Sequence, residues 1–260
     1  MTRFHRFLGI LICTLLVGCD QAALMKRFTP REAELAARNY VDLLRQGQSD
    51  ELERNLDAGI AEPNARDQLH EMAAMFPTTA VISAKIVGSQ ILRGKDLSTT
   101  NSITIEYEFP DRWLLANVVF RKNAGTTTIV GFHVSRIPDS LENINAFTLA
   151  GKSAWQYLIL VLAMCSILFS LYVFRLCLRT ETMKLKWLWL LFILVGLGRL
   201  TVNWTTGDTS FTALAIQIPC AGMNRIVYGP WMVAAYLPLG SILFLNYRWK
   251  LKVDGKLLTP

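Results

Sequence analysis

The chain has little of what soluble enzymes use for chemistry. Its 260 residues include three histidines and five cysteines. No CxxC pair, HExxH helix or histidine cluster occurs, so the spacing that holds zinc or iron is missing and no metal is expected. There is no Gly-Lys-Ser/Thr phosphate loop and no GxGxxG following a strand, which excludes the common nucleotide cradles and ATP-driven work by this chain alone. The sequence therefore calls for no cofactor. The cysteines, at 13, 19, 165, 177 and 220, are too scattered to frame intramolecular disulfides. Charge is also scarce, at 18% of residues against about 25% in ordinary soluble domains.

Apolar residues fill the gap, at 52% of the chain. They begin with a basic start (Arg3, His5, Arg6), an apolar run Phe7 to Leu15, and Leu16-Val17-Gly18-Cys19. This resembles a bacterial lipoprotein signal, residues 1–18, with Cys19 as the lipidated first residue of the mature chain. The apolar run is too short to span a bilayer, which needs about 20 residues, so a processed signal fits better than a retained helix. An uncleaved anchor is the alternative. Asp20 resembles the residue that retains lipoproteins in the inner membrane.

Charge is partitioned along the chain. Residues 20–153 carry 15 Lys+Arg and 17 Asp+Glu, while the whole chain has a net charge of +7. The basic surplus therefore lies in the signal and the apolar C-terminal part. That distribution sets topology and excludes a nucleic-acid partner.

Three apolar stretches, 155–178, 185–204 and 226–249, are each long enough to cross a hydrocarbon core of about 30 Å as helices. Trp155, Tyr157, Trp187, Trp189, Trp204, Tyr247 and Trp249 mark their ends, as interfacial aromatics do. Basic residues cluster in the linker Arg175 to Lys186 and in the tail 250–260. The positive-inside rule puts both in the cytoplasm, leaving the N-terminal domain outside. The expected location is the bacterial inner membrane, with membrane lipid as one partner. The connector 205–225 is apolar for a loop, and Pro219 and Gly222 prevent a continuous helix through it.

Between a linker at 19–28 and another at 139–154 lies a domain over residues 29–138. Thr29-Pro30-Arg31-Glu32 predicts a capped helix start and Gly47 its end. A short helix from Ser49 and a third over Asn64 to Phe76 follow. Strands are predicted over 79–92, 102–109, 113–121 and 126–137, the second alternating between Ile103, Ile105, Tyr107 and the polar Thr104, Glu106, Glu108. Lys122-Asn123-Ala124-Gly125 predicts a hairpin turn. The expected fold class is an α+β extracytoplasmic domain, three helices then a four-stranded antiparallel sheet, followed by an all-α transmembrane region of three helices.

The helix ending Tyr40-Val41-Asp42-Leu43-Leu44-Arg45-Gln46-Gly47, a small second helix and a curved meander resemble the cystatin-like cone of the nuclear-transport-factor-two-like superfamily. The similarity covers residues 29 to 138. The whole arrangement also resembles an uncharacterised proteobacterial membrane-anchored, lipoprotein-like family, with runs at Asp111-Arg112-Trp113-Leu114-Leu115, Gly131-Phe132-His133-Val134 and Asn203-Trp204-Thr205-Thr206-Gly207. Neither resemblance implies a catalytic residue.

Cone folds host both enzymes and binding modules, so the fold selects neither. His133 is the one candidate general base, with Glu106, Glu108 and Asp111 as candidate partners. Phe132 and Val134 predict that His133 lies on the strand face away from the core. Arg199 is the lone charge inside a predicted span, suited to snorkelling or to pairing with Asp208. The leading expectation is a non-catalytic envelope module that binds another envelope protein or a second copy of itself. A sensor or enzyme using the cone cavity, and an accessory subunit of a transport or export system, are the alternatives.

Overall fold

The computed structural model describes residues 27, 29–57, 59, 64–94, 97–123, 125–180 and 185–253. The signal at 1–18, the lipidation site Cys19 and part of the hairpin turn at 122–125 lie outside them. The chain divides into two compact units, residues 1–144 and 145–260.

In the first unit, helix α1 (Arg31–Arg45) begins after an extended Pro30, one residue later than an N-cap at Thr29 would set it. Its acidic first turn and basic last turn both complement the helix dipole. Gly47, at φ +71°, ends it. There the Gln48 N–H donates to the Leu43 carbonyl (2.9 Å) and the Gly47 N–H to the Leu44 carbonyl (3.0 Å), the two bonds of a Schellman stop. Helices α2 (Ser49–Arg54) and α3 (Ala65–Ala74) follow. Then come β1 (Ser83–Arg93), β2 (Thr99–Glu108), β3 (Trp113–Asn123) and β4 (Thr126–Ile137), an antiparallel meander in sequence order.

Register builds one apolar face. Ile103, Ile105 and Tyr107 of β2 stand opposite Val118, Ala116 and Leu114 of β3. Ala37, Val41 and Leu44 of α1 close over these residues, all fully buried. Bulges between Ile86 and Gly88 and between Val119 and Phe120 shift the register and bend the strands. A short helix α4 (Leu141–Ile144) ends the unit. The Glu106 carboxylate, on the sheet's other face, accepts the Leu141 N–H at 2.6 Å, and Lys85 lies 3.7 Å from it. A carboxylate at a helix start satisfies an orphan donor.

The second unit overturns the expected three-helix transmembrane region. Helix α5 (Ala154–Leu178) occupies the first apolar stretch, but the other two are composites of helix and strand. Residues 185–204 form a short helix α6 (Lys186–Ile193) and then strand β5 (Gly196–Asn203). The connector 205–225 is not a loop but strands β6 (Thr209–Gln217) and β7 (Ala221–Arg225). Residues 226–249 hold β8 (Trp231–Leu237) and most of α7 (Leu239–Val253). The sheet is antiparallel in the order β6-β5-β8-β7.

The reason is local. Gly196 and Gly198, the latter at φ +71°, break the helix after Ile193. Pro230 and Pro238 bracket seven residues that pair with β5 instead of coiling. Among the described residues, α5 alone is long and apolar enough to cross a membrane.

Helix α5 starts on a reciprocal cap. The Gln156 N–H donates to Ser153 Oγ (3.4 Å), and Gln156 Oε1 accepts the Ser153 N–H (2.7 Å). Along its length it packs on two partners. Ile159 and Ala163 meet Val202, Val233 and Ala235 of the sheet, whereas Val173 and Cys177 meet Ile193 of α6 and Phe244 of α7. The rest of its surface is apolar and open, from Trp155 and Leu158 to Leu168 and Tyr172.

Candidate functional site

Each unit has a concave region with polar side chains in its lining, and the second unit also has an apolar one of about 360 Å³ between Leu188, Trp189, Phe192, Val195 and Ile218. In the first, a cavity of about 360 Å³ lies between α3 and β4, lined by Leu56, Leu69, Met72 and Phe132, with Gln68 as its polar side chain. His133 does not line it. The residue is exposed on the outer face of β4, opposite Asn117 of β3. The candidate carboxylates do not converge on it. Glu106 holds the start of α4, Glu108 accepts the Ser83 hydroxyl at 2.9 Å, and Asp111 pairs with Arg112 at 2.5 Å. The Arg112 bond holds the Asp111 carboxyl below its ordinary pKa. Burial, reinforced by Asp42, pushes the Tyr107 phenol up to about 12 against the opposing pull of Arg38 and Arg45. That group is 3% exposed in the core, so it is structural.

The second region is the face of the second sheet turned away from α5. Strand alternation sorts β5 into two sets. Leu200 and Val202 belong to the core with α5, while Arg199 and Thr201 face the other way. Pairing brings their neighbours alongside: Arg199 lies between Tyr236 and Thr212, and Thr201 between Ala234 and Ser210. One strand further, Gly222 pairs with Ala234 and Asn224 with Met232. A pocket of about 350 Å³ sits over this face.

Its polar groups are unevenly satisfied. The Tyr236 hydroxyl donates to Gln217 Oε1 at 2.5 Å, which draws the Gln217 side chain over the sheet. Gly222 leaves room for it, since a Cβ there would stand 2.9 Å from Gln217 Nε2. Thr201 is 7% exposed and its Oγ1 has no hydrogen-bond partner among the described residues. The Arg199 guanidinium makes no ion pair among them either. Asp208, its expected counter-ion, is taken up in the β5–β6 turn, where it accepts the Thr206 hydroxyl at 2.6 Å.

That turn is the run Asn203-Trp204-Thr205-Thr206-Gly207. Asn203 Oδ1 accepts the N–H groups of Thr205 (2.9 Å) and Thr206 (3.1 Å), and Gly207 takes φ +83°. Buried Trp204 stacks on Phe147 at 4.9 Å and accepts a 2.7 Å bond from Gln156 Nε2 at its carbonyl. The motif is thus a structural corner. A third feature, a buried chain from Cys220 to Ser170 (3.1 Å), Ser241 (3.0 Å) and the Ile193 carbonyl (2.9 Å), ties α5, α6 and α7 to the sheet and meets no base among the described residues.

Arg199 was visible in the sequence, but Thr201, Ser210, Gln217, Asn224 and Tyr236 were not. The signal that finds them is the period-two polar spacing of Arg199, Thr201 and Asn203, concealed inside an apolar stretch of helical length. Among the described residues, no group of three or more His, Cys, Asp or Glu side chains could hold a metal ion. Compared with protein-family models, curated proteins and solved structures, the chain matches none of them.

Proposed function

We propose that the chain is a membrane-anchored, non-catalytic binding module of the bacterial cell envelope, lipidated at Cys19, with its first unit on the periplasmic side. The observation that carries this reading is the surface of α5. Its 25 residues span about 38 Å, and only 22% of its most apolar stretch is buried. An apolar band of that size needs lipid or protein around it. The basic linker after α5 and the basic C-terminal tail support a cytoplasmic end for both. Both begin beside the C-terminal half of α5, where α6 and α7 pack.

The first unit supplies the recognition surface in this reading. Its helices on one face of a bulged meander support the cystatin-like resemblance. The scattering of His133, Glu106, Glu108 and Asp111 supports binding rather than catalysis, because general acid–base work needs such groups within reach of one atom. An envelope protein or a second copy of the chain is the partner.

Alkaline carbonate washing of membranes tests the anchor. The wild type stays in the pellet, and so does a protein in which a cleavable secretory signal replaces residues 1–19 and removes the lipid; in that lipid-free protein, Leu158, Leu162 and Leu168 changed together to Lys release it. Mass analysis of the mature chain tests the lipid: acylated Cys19 at the N-terminus is expected, and a retained 1–18 segment overturns that part. His133→Ala leaves the cellular role intact. Loss of the role with normal folding and membrane retention replaces this reading with catalysis.

A further inference from the structure

We infer that the pocket on the open face of the second sheet is a binding site for a phosphate oxyanion, held by Arg199 and Thr201 with Ser210 and Asn224 beside them. The inference is independent of how the chain is anchored and of what the first unit binds.

Four observations lead there. First, among the described residues the pocket lining carries one cation, Arg199, and no carboxylate. Arg199 makes no ion pair among the described residues, and Asp208 is held in the neighbouring turn by the Thr206 hydroxyl. Second, Thr201 Oγ1 is buried in the pocket floor without a partner among the described residues. A buried hydroxyl left unpaired is costly, and a turn about χ1 that brings it to a ligand oxygen in the pocket removes that cost. Third, three further groups can donate: the Ser210 hydroxyl, the Asn224 amide and the Gln217 amide, whose Oε1 accepts the Tyr236 hydroxyl and leaves its Nε2 free to turn to a ligand. Fourth, the site is built on strands. Arg199 and Thr201 lie two residues apart on one face, about 7 Å along β5, with Ser210 directly across from Thr201.

A guanidinium fork flanked by hydroxyl and amide donors suits a group with three or more acceptor oxygens on one centre, and phosphate provides it. At about 350 Å³ the pocket falls among small-molecule sites and exceeds a bare ion. Two sources present that chemistry, free inorganic phosphate and the headgroup of an anionic phospholipid.

The test titrates the full chain, in a mild non-ionic detergent, with inorganic phosphate, dihexanoyl phosphatidylglycerol and, as a phosphate-free control, dihexanoylglycerol. Saturable binding of at least one phosphate probe and none of the control is expected. Binding of phosphatidylglycerol alone supports the site with a lipid headgroup as its source, and binding of inorganic phosphate alone supports it with free phosphate as its source. Arg199→Gln should weaken binding about tenfold or more, as loss of a charged hydrogen bond does, and Thr201→Val several-fold. The proposal is overturned if neither phosphate probe saturates, if dihexanoylglycerol binds equally well, or if Arg199→Gln binds normally with an unchanged circular dichroism spectrum. Should Arg199→Gln fail to fold, Thr201→Val and Ser210→Ala decide, and undiminished binding by both overturns it.

Discussion

Replacing Gly196 by alanine tests the architecture of the second unit more sharply than any other single change. Gly196 opens β5 where the sheet is tightest. A Cβ built there would stand 2.6 Å from Tyr236 Cβ, 2.8 Å from Cys220 Cα and 2.9 Å from Cys220 Cβ. Ordinary contact begins near 3.4 Å, so at least one wall must retreat by about 0.8 Å. Neither wall is free to do so. The Tyr236 N–H donates to the Cys220 carbonyl (3.0 Å), the Tyr236 carbonyl accepts the Ser166 hydroxyl (3.0 Å), and Cys220 Sγ is tied to Ser170. Overpacking costs about 1–3 kcal/mol, and loosening one or two of those bonds adds about 1 kcal/mol each. Gly196→Ala should therefore lose roughly 2–5 kcal/mol, a fall in Tm of roughly 4–20 °C. Thermal unfolding of the full chain in detergent, followed by tryptophan fluorescence, measures it. Gly131→Ala is the control: its nearest contact is 3.5 Å, and its Tm should move by only a few degrees. A Gly196→Ala protein as stable as the wild type refutes the strand pairing, because alanine inside a transmembrane helix would be harmless.

Three further outcomes follow from described contacts. Tyr107 should titrate last among the tyrosines of the first unit when phenolate absorbance is followed. Its folded pKa is raised, so the stability it confers is complete below pH 10 and is lost as pH climbs from 10 towards about 12, at about 1.4 kcal/mol per unit; a melting curve unchanged across that window refutes it. Glu106→Ala should destabilise the first unit by roughly 2–3 kcal/mol in denaturant titration, leaving the Leu141 N–H unpaired, with Glu106→Gln retaining part of the loss. Gln156→Leu should cost a similar amount in the second unit, since it strips the Ser153 N–H and the Trp204 carbonyl of their partners together, and an unchanged Tm speaks against that corner.

How far the sequence could be read differs between the two units for a physical reason. In residues 29–144 each element carries its own punctuation: Gly47 after α1, strict alternation in β2, Pro110-Asp111 between β2 and β3. Local signals and tertiary pairing agree there. In residues 185–253 hydropathy dominates, and a strand buried among apolar neighbours shows the same continuous run as a helix. Trp231-Met232-Val233-Ala234-Ala235-Tyr236-Leu237 is such a run. Length and bracketing decide it, seven residues between Pro230 and Pro238, yet a window of twenty residues averages over both prolines. Arg199 is legible because a charge within an apolar run is conspicuous. Its companions are not, because Tyr236 and Asn224 reach it only through pairing with strands distant in sequence.

The bond from Gln156 to the Trp204 carbonyl joins residues 48 positions apart, which gives the fold a timetable. Synthesis proceeds at about 5–20 residues per second, so roughly 2–10 s pass between emergence of the α5 start and of the turn that completes it. During that interval α5, capped locally by Ser153 and Gln156, has its apolar flanks bare, and only the later hairpin supplies the acceptor for the Gln156 amide. The nascent chain is therefore open to capture by chaperones or insertion factors while α5 is formed and the sheet is not, and pausing of the ribosome between codons 156 and 204 would lengthen that exposure.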